Sequence, residues 1–209
     1  MITLYGYPKT RARRVTWMLE ELGVDYDFKL VKFGEKGFKT AQLLALNPAG
    51  KIPALDDNGF VLTESAAILT YLGDKYPDSG LVPAAGTQDR ARYDQWCYFV
   101  LTELEQPLWT IAKHKFALPE QQRIKEIFPT AAWEFQQALL LLSQGLGETP
   151  YILGGSFSAA DILIGHTLRW GNNFDQPIEQ SNLQRYADQV LNREALACAI
   201  EREEAALQG

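Results

Sequence analysis

The sequence predicts an α/β domain followed by an all-helical domain, and three features carry that prediction. Strand-like and helical runs alternate as far as Pro77. A short stretch rich in glycine and proline follows. Beyond it the apolar residues recur at helical spacing, with no convincing strand. A chain of 209 residues has room for two small domains. They are read as residues 1–77 and 87–209, with a linker over 78–86.

Ile2 to Tyr5 is the first strand. Val15, Met18, Leu19 and Leu22 then stand at i, i+3, i+4 and i+7, the apolar face of a helix that Gly23 stops. Tyr26, Phe28 and Leu30 alternate as a second strand, with Val31 out of phase. Phe38 to Leu46 reads as a short helix ended by Asn47-Pro48. Pro53 to Asp56 and Phe60 to Leu62 are strands joined through Asp57-Asn58-Gly59, and Asn-Gly is the strongest short hairpin signal. Glu64 to Tyr76 is helical, with Ile68, Tyr71 and Leu72 on one face, and Pro77 closes it. The order βαβαββα implies a mixed sheet with helices on both sides.

After the linker, Tyr93, Trp96, Cys97, Val100, Leu101 and Leu104 repeat at helical spacing. Pro119 is read as opening the next helix, and Pro129 as kinking or splitting it. Ala131, Phe135, Ala138, Leu139 and Leu142 continue a buried stripe. Ser158-Ala159-Ala160-Asp161 is a capping box, flanked by Phe157 and Ile162 as a hydrophobic staple. The tail from Leu183 is again helical.

Composition narrows the function. The hydrophobic fraction of 46% and charged fraction of 22% are those of an ordinary globular protein. A net charge of -6 argues against nucleic acid as a partner, because phosphate neutralisation needs a basic surface. No apolar stretch reaches the roughly 20 residues of a membrane span. The first residues lack the charged and apolar regions of a signal peptide, so a cytoplasmic location is the expectation. Cys97 and Cys198 form no metal-like spacing and are expected as reduced thiols. No metal is implied, and the carboxylates show no paired arrangement for general acid–base work.

The chemistry concentrates in two segments. Asn47-Pro48-Ala49-Gly50-Lys51-Ile52-Pro53-Ala54-Leu55 is followed, past the hairpin, by Leu62-Thr63-Glu64-Ser65-Ala66-Ala67-Ile68. With this pair the chain resembles the cytosolic glutathione transferases, and the resemblance runs from the Arg11–Gly23 helix through the Ser158–Asp161 cap. It implies a thioredoxin-like first domain, a homodimer, and glutathione as co-substrate. An X-Pro bond is cis in only about 5% of cases, but the resemblance makes cis the expected form of Ile52–Pro53. A cis bond there turns the chain and leaves the Ile52 N–H and C=O available, so that a peptide-like ligand adds as an extra strand. Glu64 and Ser65 open a helix whose free N–H groups and dipole favour a carboxylate. Ser65 adds a hydroxyl and Glu64 a partner for an ammonium, which suits the γ-glutamyl end of the tripeptide. Lys51 is placed for its glycyl carboxylate. Taken singly, Pro53 is a turn residue, Glu64 and Ser65 are helix starters, and Lys51 is a solvated charge. The five together at this spacing are not explained that way.

The second segment is Tyr5-Gly6-Tyr7-Pro8-Lys9-Thr10-Arg11-Ala12-Arg13-Arg14. Its arginines crowd the first turn of a helix, where each exposed cation opposes the macrodipole by roughly 0.3–1 kcal/mol. Such a local violation marks function or an anion held nearby. Arg13 and Arg14 are read as interdomain or surface salt-bridge residues, while Arg11 divides evenly between anion binding and structure. Activation in the family means converting the tripeptide's thiol, of pKa about 8.5, to thiolate. A lowering of ~2 units needs ~2.7 kcal/mol. The family places a Tyr, Ser or Cys near this strand end or helix start. The Ser-like position here is Thr10, which is also a good N-cap. Tyr5 is the second candidate donor, and Arg11 the third. With no cysteine in the segment, a mixed disulfide with the protein's own thiol is disfavoured.

The electrophile is expected between the domains, against the helix containing Tyr98 to Lys115, with Trp109, His114 and Trp170 as candidate lining. The bland alternative is core packing. Cys97 and His166 lie on apolar stripes and read as core residues. Where the family's last helices approach an Arg-Pro-Ala segment, this chain has Asn192-Arg193-Glu194-Ala195. The leading reading is transfer of the thiolate to a small hydrophobic electrophile. Its rivals are glutathione-dependent peroxide or disulfide reduction at the same site, and a non-catalytic interaction protein of the same fold.

Overall fold

A computed structural model of the chain describes residues 1–34 and 37–208. Two compact units emerge: Met1–Val82 joined by the segment from Asn192 onward, and Pro83–Leu191.

The first unit is thioredoxin-like. Its strands β1 (Ile2–Gly6), β2 (Tyr26–Leu30), β3 (Ala54–Asp57) and β4 (Phe60–Thr63) form a sheet of order β2-β1-β3-β4. β1 runs parallel to β2 and antiparallel to β3, and β3 and β4 make the hairpin that Asn58-Gly59 predicted. The helices are α1 (Ala12–Leu22), α2 (Ala41–Leu46) and α3 (Ser65–Lys75). α1 ends where foreseen, on Gly23 in the left-handed region at φ +63°.

Alternation along the strands sorts the two faces. Leu4 and Leu55, opposite each other in the ladder, are both fully buried. Gly6 shares their face, and a Cβ there would come within 2.7 Å of the Ala12 Cβ, so glycine is what lets α1 approach the sheet. Tyr5 and Ala54 face the other way and meet α2 through Leu43. α2 is shorter than the expected 38–46 helix. Thr40 caps it, its Oγ1 accepting from the Leu43 N–H at 3.2 Å, while Phe38 instead packs against the cluster of Val31, Leu43 and Ala54.

The second unit is helical: α4 (Gln88–Phe99), α5 (Glu105–Ala112), α6 (Phe128–Leu146), α7 (Ala159–Asn173) and α8 (Ser181–Leu191). α4 and α5 are one continuous rod, joined by a π-helical turn over Val100–Leu104 and extended by another over Lys113–Ala117. The first turn has a cause in Pro107. A proline lacks the N–H for the i−4 carbonyl and its ring presses on that carbonyl, so the helix widens just before it. Pro119 does not open an α-helix. Two short 3₁₀ turns follow it, and α6 starts at Phe128 with Pro129 in its first turn, where the missing N–H costs nothing. The expected stripe of α6 and the capping box at the start of α7 are both present.

The helical tail does not join this unit. α9 (Glu194–Gln208) belongs with the first one, so the helical body ends near Leu191 rather than at the end of the 87–209 span. Charge explains the choice. Arg193 clasps Glu21 through Nε and Nη2 at 2.6 and 2.7 Å, Arg202 reaches Glu20 at 2.7 Å, and Glu203 receives Arg13. No helix among the described residues is long and apolar enough to cross a membrane.

Candidate functional site

The strand register gathers the predicted residues at one end of the sheet. Tyr5 pairs with Ala54, and Ala54 with Thr63. The loop that leaves β1, the segment that enters β3 and the segment that leaves β4 therefore share one edge. Tyr5 lies near the end of β1 itself, Thr10 and Arg11 come from the loop after it, Lys51, Ile52 and Pro53 from the second segment, and Glu64 and Ser65 from the third.

The Ile52–Pro53 bond is cis, as expected. Ile52 lies outside the ladder, and its backbone N–H and C=O have no backbone partner among the described residues. Its side chain rests on the Val31–Leu43–Ala54 cluster, as does that of Tyr5. The approach to the proline is fixed by Asn47, whose Nδ2 donates to the Lys51 carbonyl at 2.8 Å and whose Oδ1 accepts from Ala49 N–H at 3.1 Å. Lys51 itself is exposed.

Four non-glycine residues have positive φ among those described: Lys9, Asn58, Glu64 and Asp175. Asn and Asp tolerate that region, whereas Lys and Glu seldom enter it. Lys9 (φ +62°) and Glu64 (φ +68°) both border the gathered edge, where strained backbone commonly serves function. Glu64 is the exposed residue before α3, and Ser65 is the buried first residue of the helix.

Behind Ser65 stands a residue whose role the sequence did not reveal. Arg14 is fully buried, and its Nη1 donates to Ser65 Oγ at 3.3 Å. An Oγ that accepts from a guanidinium has its own proton to give elsewhere, and the cation adds to the positive end of α3. Arg13 is an ion-pair residue as read, though a buried one: its Nε and Nη2 reach Glu203 Oε2 at 3.0 and 2.7 Å. The anion that the crowded arginines call for is thus partly supplied by the chain's own α9.

The candidate thiol activators lie close together in sequence but differ in setting. Thr10 Oγ1 donates to the Tyr7 carbonyl at 2.7 Å and accepts from Ala12 N–H at 3.2 Å, a turn leading into α1, whose N-cap position is Arg11 rather than Thr10. Tyr5 packs against the same apolar cluster as Ile52. Arg11 is half-buried at the start of α1. In the second unit, Trp109 is half-buried on α5 and His114 sits in the π turn after it. His114 Nδ1 accepts from Ile124 N–H at 3.0 Å and so ties down the irregular segment before α6. Cys97 is buried, and burial pushes its thiol up to about 12. Among the described residues no group of His, Cys, Asp and Glu could hold a metal ion.

A four-stranded sheet entered through a cis-proline, with a serine opening the helix after the hairpin, defines the thioredoxin-like half of a two-part fold. Residues 1–74 match the family model for the N-terminal domain of glutathione S-transferases. The disulfide-bond oxidoreductase YfcG of Escherichia coli strain K12 is 31% identical over 169 residues, covering 78% of this chain and 76% of the relative. The solved glutathione transferase from Methylococcus capsulatus superposes with a TM-score of 0.86 at 28% identity, covering 98% of this chain and 100% of that one. A sphingomonad glutathione S-transferase, solved with glutathione, gives 0.83 at 30% identity over 97% and 98%. The chain belongs to the glutathione S-transferase family.

Proposed function

We propose that the chain binds glutathione at this sheet edge, holds its sulfur as thiolate beside the β1–α1 loop, and transfers it to a small hydrophobic electrophile. The observation that carries the reading is the convergence at the edge of Ile52, Ser65 and the exposed Lys51. Ile52 offers an unpaired N–H and C=O to the peptide backbone of the ligand. Ser65, with Arg14 behind it, and the N–H groups that open α3 receive the γ-glutamyl carboxylate. Glu64 takes the ammonium and Lys51 the glycyl carboxylate.

Thr10 is the proposed thiolate donor. Its oxygen is already oriented by Ala12 N–H, so only the hydroxyl proton must swing from the Tyr7 carbonyl to the sulfur. Tyr5 and Arg11 are the alternatives, and Trp109 and His114 remain the proposed contacts of the electrophile. The chain is further proposed to work as a cytoplasmic homodimer. Phe60, more than half exposed on the edge strand β4, offers a second copy an apolar contact.

Calorimetry with glutathione tests the core of the proposal, and no heat of binding at millimolar ligand defeats it. Titration of the bound thiolate's ultraviolet absorbance in Thr10→Ala and Tyr5→Phe then assigns the donor. An unchanged thiol pKa in Thr10→Ala removes the first choice. A second reading, glutathione-dependent disulfide reduction, is favoured by the oxidoreductase among the relatives. Product identity separates them: a thioether for transfer, oxidised glutathione for reduction.

A further inference from the structure

We propose that Arg123 is a positioning residue for His114: the loop it pins carries the Ile124 amide to the imidazole and fixes that ring with its proton on Nε2. The clamp stands on its own geometry. Its bearing on transfer rests on the reading above, that His114 meets the electrophile.

The long rod of the helical unit ends irregularly. Its last turn, Lys113–Ala117, is π-helical, and the Leu118 N–H returns to the Lys113 carbonyl at 2.9 Å. A helix end leaves its final carbonyls without intrahelical donors. Here Arg123 answers them from the loop that follows. Its Nη2 donates to the Phe116 carbonyl at 2.9 Å, and its Nε donates to the Leu118 carbonyl at 2.8 Å. A planar guanidinium engaged through two nitrogens at once leaves its stem little freedom, and a cation suits the negative end of a helix. The backbone at Arg123 is therefore held against the turn. The next amide, that of Ile124, donates to His114 Nδ1 at 3.0 Å.

The two ties run in opposite directions. One joins a loop side chain to the backbone of the turn, and the other joins a side chain of the turn to the loop backbone. The intervening Glu120–Gln122 segment is a single 3₁₀ turn, so no long regular element imposes either tie. Phe116 and Ile124 are both more than half exposed, so apolar burial does not hold the loop closed in place of the clamp.

For the imidazole the consequence is chemical. A nitrogen that accepts an N–H carries no proton, so the ring has its hydrogen on Nε2. Nε2–H is then the edge the ring can offer a ligand. Turned to an electrophile, that N–H stabilises the negative charge that thiolate attack builds on the acceptor, and it offers no lone pair to act as a base.

NMR of the nitrogen-labelled, ligand-free native protein tests the clamp directly. In mildly alkaline buffer a coupling across the hydrogen bond is expected between the Ile124 amide nitrogen and His114 Nδ1. Arg123→Leu keeps the apolar bulk of the stem and removes the fork. There the coupling is expected to vanish, and the Ile124 amide to exchange about tenfold faster, the worth of one hydrogen bond. Absence of the coupling in the native protein overturns the proposal, and so does its survival in Arg123→Leu.

Kinetics then show whether Arg123 acts through the ring. With chlorodinitrobenzene as acceptor, Arg123→Leu and His114→Ala are each expected to lower kcat/KM about tenfold, and the double variant no further. Losses that multiply to about a hundredfold place Arg123 on a separate task and overturn the proposal. Native turnover in His114→Ala also overturns the role in transfer. If the native protein neither binds glutathione nor conjugates it, the reading of the preceding subsection falls. The coupling then still decides whether Arg123 positions the ring.

Discussion

Asp161 and Glu203 are carboxylates without solvent exposure, one in each compact unit, and the chain satisfies them in different ways. Asp161 Oδ1 accepts from Ile152 N–H at 2.9 Å and from the Tyr186 hydroxyl at 2.7 Å. Its Oδ2 accepts from Ser158 N–H at 2.8 Å and the Ser158 hydroxyl at 2.7 Å. These donors are all neutral. Glu203 receives a guanidinium and a hydroxyl. Burial pushes both carboxyls up, against the pull of those donors. A neutral cage suits a joint that only has to stop one helix and start another. An ion pair suits a joint that must select its partner across the whole length of the chain, since removing either half leaves a charge stranded.

That contrast orders the expected effects. Glu203→Ala strands Arg13 in the interior and is expected to lower the unfolding free energy by about 3–5 kcal/mol in urea titration. A loss below about 1 kcal/mol would rank the pair with surface salt bridges and dissolve the distinction. Asp161→Asn strands no charge but forfeits an acceptor for the two Ser158 donors, and about 1–3 kcal/mol is expected from the same titration. Ser158→Ala removes one hydroxyl from the cage and the cap of α7, for about 1 kcal/mol. Should it match Asp161→Asn, the cap rather than the cage carries the stability.

The smallest effect is a difference in pH dependence between buried carboxyls. Asp57 is held below the usual range by Lys75 and by the Tyr71 hydroxyl at 2.6 Å. Its contribution is present above its unfolded pKa and fades as pH falls through the folded value. Asp161, pushed up by burial, has the opposite sign: between its unfolded and folded pKa values the native chain holds the extra proton. Its contribution is therefore greatest below the unfolded value and fades as pH rises through the folded one. Unfolding free energies of native, Asp57→Asn and Asp161→Asn proteins over the acidic range check this. The gap between native and Asp57→Asn should close on acidification, and the gap to Asp161→Asn should close on raising the pH. Parallel trends would refute the assignment.

The same two residues show how far the sequence could be read. The cage at Asp161 was legible because its first partner is three residues away, in a spacing that helix geometry dictates. The Lys51-Ile52-Pro53 and Glu64-Ser65 pair was legible for a similar reason, being two short segments on either side of a recognisable hairpin. Glu203 was not legible, because its partner lies 190 residues upstream and nothing local marks an acidic residue in a mixed helix as buried. Arg14 and Ser65 are likewise 51 residues apart. What the sequence did offer was the symptom: cations crowded at the wrong end of α1. The tail's place in the first unit follows from those pairings, so it was hidden with them. Pro119 and Pro129 misled for a different reason, since a proline marks a helix start and a helix break with the same letter.

The π turn at Val100–Leu104 has a bearing on how such a chain changes over generations. A π turn accommodates one residue beyond what an α-turn needs. Losing a single residue within it would return the turn to ordinary α geometry and leave every later side chain facing nearly as before. The same loss in the regular α-helix that follows would turn all later side chains by about 100° about the axis. Trp109 and His114 are thus buffered against a change of length at this turn and exposed to one beyond it.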